Sequence, residues 1–129
     1  MTEIIRQEID LPASPERVYK ALTDSKQFSA FTGGASADIA ATAGGAFSSF
    51  GGMISGRMLD LVPNERIVQA WRAGNWDAGA YSIVRFDLTP QSRGTRLTLT
   101  QSGHPEGSDE HLKAGWPKMY FDPLKKFLS

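Results

Sequence analysis

Cysteine is absent from this chain of 129 residues. Its absence excludes a disulfide framework, a thiolate zinc site and a thiol nucleophile together. Neither sign of charge is in excess, because 14 Lys and Arg stand against 14 Asp and Glu, for a formal net charge of zero. There is no basic run, so the electrostatic footprint of a protein held mainly by phosphates is missing and nucleic acid is excluded as a main partner. No stretch approaches the roughly 18 apolar residues of a membrane span. Met1-Thr2-Glu3-Ile4-Ile5-Arg6 also has no apolar core of signal-peptide length. The expectation is a soluble, cytoplasmic protein with no membrane partner. Gly-x-Ser-x-Gly, Walker and paired-His zinc motifs are missing as well. What is present is 40% hydrophobic residues in a length that suits one domain, 1–129. Such a chain buries roughly two-thirds of its unfolded surface, enough for a core without cofactor or structural metal.

Residues 3–11 alternate, with Ile5, Ile9 and Leu11 on one face and Arg6, Glu8 and Asp10 on the other, which predicts a half-buried strand. Ser14 is placed to cap a helix that has Pro15 at its first position, Glu16 in its first turn, and Val18, Tyr19 and Leu22 at helical spacing. Asp24 or Ser25 can cap a second short helix carrying Phe28 and Phe31 and stopping at Gly33-Gly34. From 27 to 56 the composition changes: the only charge is Asp38, and seven of the 13 glycines fall here. Gly44-Gly45 and Gly51-Gly52 separate short strands at 37–40, 46–50 and 53–54, as tight turns require. Strands at 55–62 and 66–72 flank a Pro63-Asn64-Glu65 turn. A loop at 74–79 precedes strands at 81–88 and 95–101, joined through a turn from Pro90 to Gly94. Ser108 can cap a last helix that opens on Asp109-Glu110 and carries a stripe of Leu112, Trp116, Met119, Tyr120, Leu124 and Phe127 or Leu128. Pro117 and Pro123 interrupt it, so this helix should kink, or restart at Pro117.

One strand, two short helices, about six further antiparallel strands and a long C-terminal helix make an α+β chain. A curved antiparallel sheet of six or seven strands has only that helix to cover its apolar face, which gives a helix-grip architecture that leaves a hydrophobic cavity between helix and sheet unless side chains fill it. Candidates to line the cavity are Phe28, Phe31, Phe47, Met58, Trp71, Trp76, Phe86, Trp116 and Tyr120, with Trp76 in a Gly-bounded loop where it either lids the cavity or is offered to a partner. Arg57, Asp60 and His104 are the candidates for a polar group inside. The plainer account of Arg57, Asp60, Arg72 and Asp87 is cross-strand charge pairs on the outer face. His104, Glu106, Asp109, Glu110 and His111 have the donor types of a metal site. Acids at a helix start explain Asp109 and Glu110 without one.

At Asp60-Leu61-Val62-Pro63-Asn64-Glu65, with Ile67-Val68, Trp71 and Asn75-Trp76, the chain resembles the C-terminal domain of the activator of the heat-shock protein 90 ATPase and its single-domain bacterial relatives. Ala30-Phe31-Thr32, Gly44-Gly45-Ala46-Phe47, Ser55-Gly56, Gly115-Trp116 and Tyr120-Phe121 add to the likeness, which runs from about Arg6 to Phe127. The resemblance implies the Bet v 1-like, START-related (SRPBCC) helix-grip fold. It also implies a part in stress response as a co-chaperone-like protein. In eukaryotic activators an N-terminal domain grips the chaperone's middle segment and supplies much of the stimulation, while the C-terminal domain assists at its N-terminal region. At this length the first of these is expected to be missing. The superfamily also includes lipid and hormone binders and polyketide cyclases.

The functional expectation is a non-enzymatic binding module, monomeric or weakly homodimeric, that takes a heat-shock protein 90 type chaperone, a small hydrophobic ligand, or both. The alternative is a cavity enzyme of polyketide-cyclase type acting on a cyclic apolar substrate, with His104, Asp60 or Arg57 as its polar participant.

Overall fold

The computed structural model describes residues 3–129. Strand β1 (Ile5–Leu11) leads into α1 (Pro15–Thr23), where Ser14 Oγ accepts the Arg17 N–H at 3.3 Å and Pro15 holds the first helical position. Asp24 then does two things in one extended conformation. Its N–H closes α1 on the Lys20 carbonyl, and its carboxylate accepts the Gln27 N–H at 3.0 Å to open α2 (Ser25–Phe31).

Six strands follow: β2 (Asp38–Ile39), β3 (Ala46–Ser49), β4 (Ile54–Val62), β5 (Arg66–Ala73), β6 (Ser82–Gln91) and β7 (Gly94–Ser102). They form an antiparallel meander closed by the first strand, in the order β1-β7-β6-β5-β4-β3-β2. Alternation decides the inward face. Ile67, Gln69 and Trp71 on β5, Val84, Phe86 and Leu88 on β6, and Thr95, Leu97, Leu99 and Gln101 on β7 are all buried. Between β3 and β4 the paired glycines belong to a 3-10 turn, Phe50–Gly52, in which all three residues have positive φ.

Strand β6 runs further than the sequence suggests, through Pro90 to Gln91, so the hairpin turn shrinks to Ser92-Arg93. Leu88 N–H points toward β5 and donates to the Glu65 carbonyl at 2.8 Å. Two residues on, Pro90 nitrogen faces the same way, past the end of β5, where no ladder donor is needed. Strand β4 carries a bulge: Met58 pairs with Gln69 and Asp60 with Val68, leaving Leu59 as the extra, exposed residue.

The last helix is one rod of three pieces, α3 (Asp109–Gly115), a π-helical turn (Trp116–Phe121) and α4 (Asp122–Leu128). The irregularity expected at Pro117 takes the form of this widened turn. Proline has no N–H to give the turn before it, and the Asp122 N–H reaches back five residues to the Pro117 carbonyl. The widening shifts the apolar stripe, so Trp116 is followed inward by Tyr120, Phe121, Leu124 and Leu128, while Met119 is 44% and Phe127 37% exposed. Ser108 does not cap α3 with its side chain. Its backbone is already helical (φ −94°, ψ −6°), and its hydroxyl donates to the Pro105 carbonyl.

The rod lies across the apolar face of the sheet, and Gln7 Nε2 on β1 donates to the Lys113 carbonyl at 3.0 Å. A seven-stranded antiparallel sheet with a C-terminal helix in its grip and two short helices after β1 is the helix-grip fold. No helix among the described residues is long and apolar enough to cross a membrane.

Candidate functional site

Between rod and sheet the side chains nearly close the space. A cavity of about 10 Å³ remains, lined by Leu22, Phe28, Ile39, Phe47, Ser49, Gln69, Phe86 and Tyr120. Of the candidate lining residues, Phe28, Phe47, Phe86 and Tyr120 therefore meet at one point. Met58, Trp71 and Trp116 are buried around them, and Phe31 is buried where α2 faces α4. The aromatic rings interlock: Trp116 lies 4.5 Å from Tyr120 and 5.4 Å from Trp71, and Phe28 stands edge-on to Tyr120 at 5.8 Å. Trp76 is half-buried, edge-on to Trp71 at 5.6 Å, and packs on the core from its loop.

The polar candidates are not brought to the cavity. Arg57 is exposed and donates to the Gly44 carbonyl at 3.1 Å, because an inward Met58 turns its neighbour outward. Strict alternation from Met58 would carry Asp60 inward. The bulge at Leu59 turns it out, where it pairs with Arg66 at 3.0 Å. Arg85 and Asp87 likewise pair on the outer face at 2.7 Å. His104 is buried, with Nε2 3.3 Å from Asp109 Oδ1, and it lies outside the cavity lining. Among the described residues no three His, Asp or Glu side chains converge as a metal site.

Inside the fold stands a polar set that the sequence reading passed over. Trp116 Nε1 donates to Gln101 Oε1 at 2.9 Å, Gln101 Nε2 to Ser82 Oγ at 3.0 Å, and Ser82 Oγ to the Trp71 carbonyl at 2.9 Å. Trp71 Nε1 donates to Tyr120 Oη at 3.3 Å, which links the last helix to three strands. Gln69 and Gln101 could have been found by parity, since each continues an inward series: Ile67 to Trp71, and Leu97 to Leu99. At the cavity wall, Ser49 Oγ is buried and faces Tyr120 Oη without meeting hydrogen-bond geometry.

Burial pushes the Tyr120 phenol up from 10.0 to about 12, with Trp71 and Ser49 pulling weakly the other way. Unfolding exposes this phenol, so between those two pH values the unfolded chain releases a proton that the folded one keeps. Stability tied to Tyr120 is thus whole below pH 10 and declines as pH rises toward 12. Tyr120→Phe should reduce that alkaline slope, read as urea midpoint against pH. Some slope will persist through Tyr19, which burial also raises. An unchanged slope in the variant would contradict the assignment.

This geometry has known counterparts. The family model of the "Activator of Hsp90 ATPase homolog 1-like protein" matches residues 12–129. The human activator of 90 kDa heat shock protein ATPase homolog 1 is 33% identical over 113 residues, which cover 88% of this chain and 33% of the human protein. The chain thus spans about a third of the length of that curated relative. Among solved structures, an HSP90 activator from Plasmodium falciparum superposes with a TM-score of 0.91 at 24% identity, covering 98% of this chain and 96% of that one; at that identity the likeness speaks for the fold. A protein from Chromobacterium violaceum is 30% identical with a TM-score of 0.79, covering 98% of each chain. With the family match running from the end of β1 to the last residue, the chain belongs to the Activator of Hsp90 ATPase homolog 1-like protein family.

Proposed function

We propose that this domain is a non-enzymatic docking module that binds a chaperone of the heat-shock protein 90 class through its surface. The observation that carries the reading is the filled space beneath the last helix. About 10 Å³ holds roughly one water. Small-molecule sites run to about 300–1,000 Å³. A hydrophobic ligand would have to displace interlocked rings, so protein binding is the better supported half of the expectation. Family membership points the same way, since the human relative carries activation of the 90 kDa heat shock protein ATPase in its name. A cytoplasmic address goes with such a partner.

A cyclase-type enzyme has little to rest on here, because Arg57 and Asp60 are exposed and His104 is not among the residues that line the cavity. The chain corresponds to a third of its human relative, so binding should be plainer than stimulation. Titrating it into a heat-shock protein 90 chaperone should give saturable binding in the micromolar range and a modest rise in ATPase rate. Absence of binding up to about 100 μM, near the weak limit for a specific surface of this kind, would end the reading.

A further inference from the structure

A second concavity lies outside the core, between α2 and α4. Ala30, Phe31, Pro123 and Phe127 are its apolar lining and Lys118, Asp122 and Lys126 its polar one, around an open depression of about 410 Å³. The π-helical turn accounts for it. By moving the core stripe onto Tyr120 and Phe121, the turn leaves Met119, Pro123 and Phe127, at i, i+4 and i+8, as a second apolar row facing away from the sheet. Phe31 and Phe127 rings stand 6.2 Å apart, the first buried and the second 37% exposed.

The charge around this groove is one-sided. Two lysines face a single carboxylate, and Lys26, one turn before Ala30 on α2, adds a third cation. Among the described residues neither Lys118 nor Lys126 is held in an ion pair. Lys125 turns the opposite way, where it acts with Arg96, the stronger influence, on Asp10.

We propose that the α2–α4 groove docks an acidic segment of a partner protein, which inserts one aromatic or branched aliphatic side chain beside Phe127 while its carboxylates meet Lys118 and Lys126. This inference rests on the reading of the domain as a docking module and assigns the surface and the partner's chemistry. The space suits one large side chain with its backbone passing over it, and a buried apolar anchor supplies most of the affinity of a small interface. Rim lysines contribute little each, and chiefly favour partners of the right sign.

The test uses the full chain and a fluorescein-labelled peptide, Asp-Glu-Asp-Phe-Glu-Asp, followed by anisotropy. A Kd on the order of 100 μM is expected, weakening at least about tenfold for Phe127→Ser and about fivefold for Lys118→Glu/Lys126→Glu. Arg93→Glu, in the β6–β7 turn and outside the groove lining, should leave it unchanged. The two lysine changes lie on the surface and keep the test decisive should Phe127→Ser fail to fold. Equal binding of a peptide with lysine at every acidic position would overturn the proposal, as would indifference to the lysine changes. So would a concentration-dependent dimer abolished by Phe127→Ser, or uptake of the chain by phosphatidylserine vesicles in place of the peptide. If the peptide binds as expected and the chaperone titration is flat, the groove stands and the chaperone reading falls. If the chaperone binds and Lys118→Glu/Lys126→Glu leaves it unaffected, the groove falls and the docking reading stands.

Discussion

Replacing Trp116 by alanine should lower the free energy of unfolding by about 4 kcal/mol, within the range measured for large buried aromatics. Trp116 is 2% exposed, and its ring is held among Trp71, Phe86, Tyr120 and Phe121 at centroid distances from 4.5 to 6.3 Å. The sheet is hydrogen-bonded into place and the π-helical turn is fixed by its own backbone, so neither can collapse to refill the lost volume. A second loss adds to the cavity. Gln101 Oε1 accepts the indole N–H at 2.9 Å, and without it a buried amide oxygen is left with no donor. Trp116→Phe separates the two terms, since it keeps most of the packing and orphans Gln101, and should cost about 1–3 kcal/mol. Urea denaturation of both variants would measure the difference. A loss below about 1 kcal/mol for the alanine variant would show that the rings are not the keystone described here.

Gly56→Ala should be nearly as damaging, at about 3 kcal/mol, although it adds only one methyl group. A β-carbon at Gly56 would stand 1.7 Å from the Ala70 carbonyl oxygen and 2.9 Å from the Phe47 ring. Ala70 O belongs to the β4–β5 ladder, so relief means parting the two strands beside Trp71, the partner of Gly56 in the register. Gly115→Ala is the matched control. Nothing lies within 4 Å of that position and it is helical, so the change should be neutral or stabilise by about 0.5–1 kcal/mol. Equal melting temperatures for the two variants would refute the close-approach argument.

The contrast also separates what a linear reading can reach from what it cannot. Caps at Ser14 and Asp24 were legible because donor and acceptor lie three residues apart. Strands β5, β6 and β7 were legible because Val84, Phe86 and Leu88, or Leu97 and Leu99, repeat with a period of two. The helix-grip arrangement followed, since one apolar rod and one apolar sheet face had only each other to cover. Asp60 stayed open between the cavity and the outer face because a bulge is a property of two strands together, and the extra residue on β4 is invisible until its register against β5 is known. The last helix shows the same limit. Pro117 announced an irregularity, whereas its form, a π-helical turn from Trp116 to Phe121, was not written in the sequence. The cavity was expected from architecture alone, and whether it is open is a question of volumes. Phe28, Phe47, Phe86 and Tyr120 nearly fill it. The hydrogen-bonded series from Trp116 through Gln101 and Ser82 to Trp71 joins residues up to 45 positions apart, and only its parity was written in the sequence.

The order of the sheet bears finally on how the chain assembles. Strands β2 to β7 are each joined to the next by a hairpin or short connection and can zip one after another through contacts close in sequence. β1 is the exception: Arg6 pairs with Thr100, and the whole meander lies between them. Closing so large a loop costs chain entropy that local hairpins do not, and rates of folding fall as such distant contacts come to dominate. On a ribosome, where the chain emerges from its N-terminal side, β1 must wait for β7 with its edge unpaired. The strand made first is thus the last to find its place, and for that interval it is the segment most open to a neighbouring chain or to a chaperone's grasp.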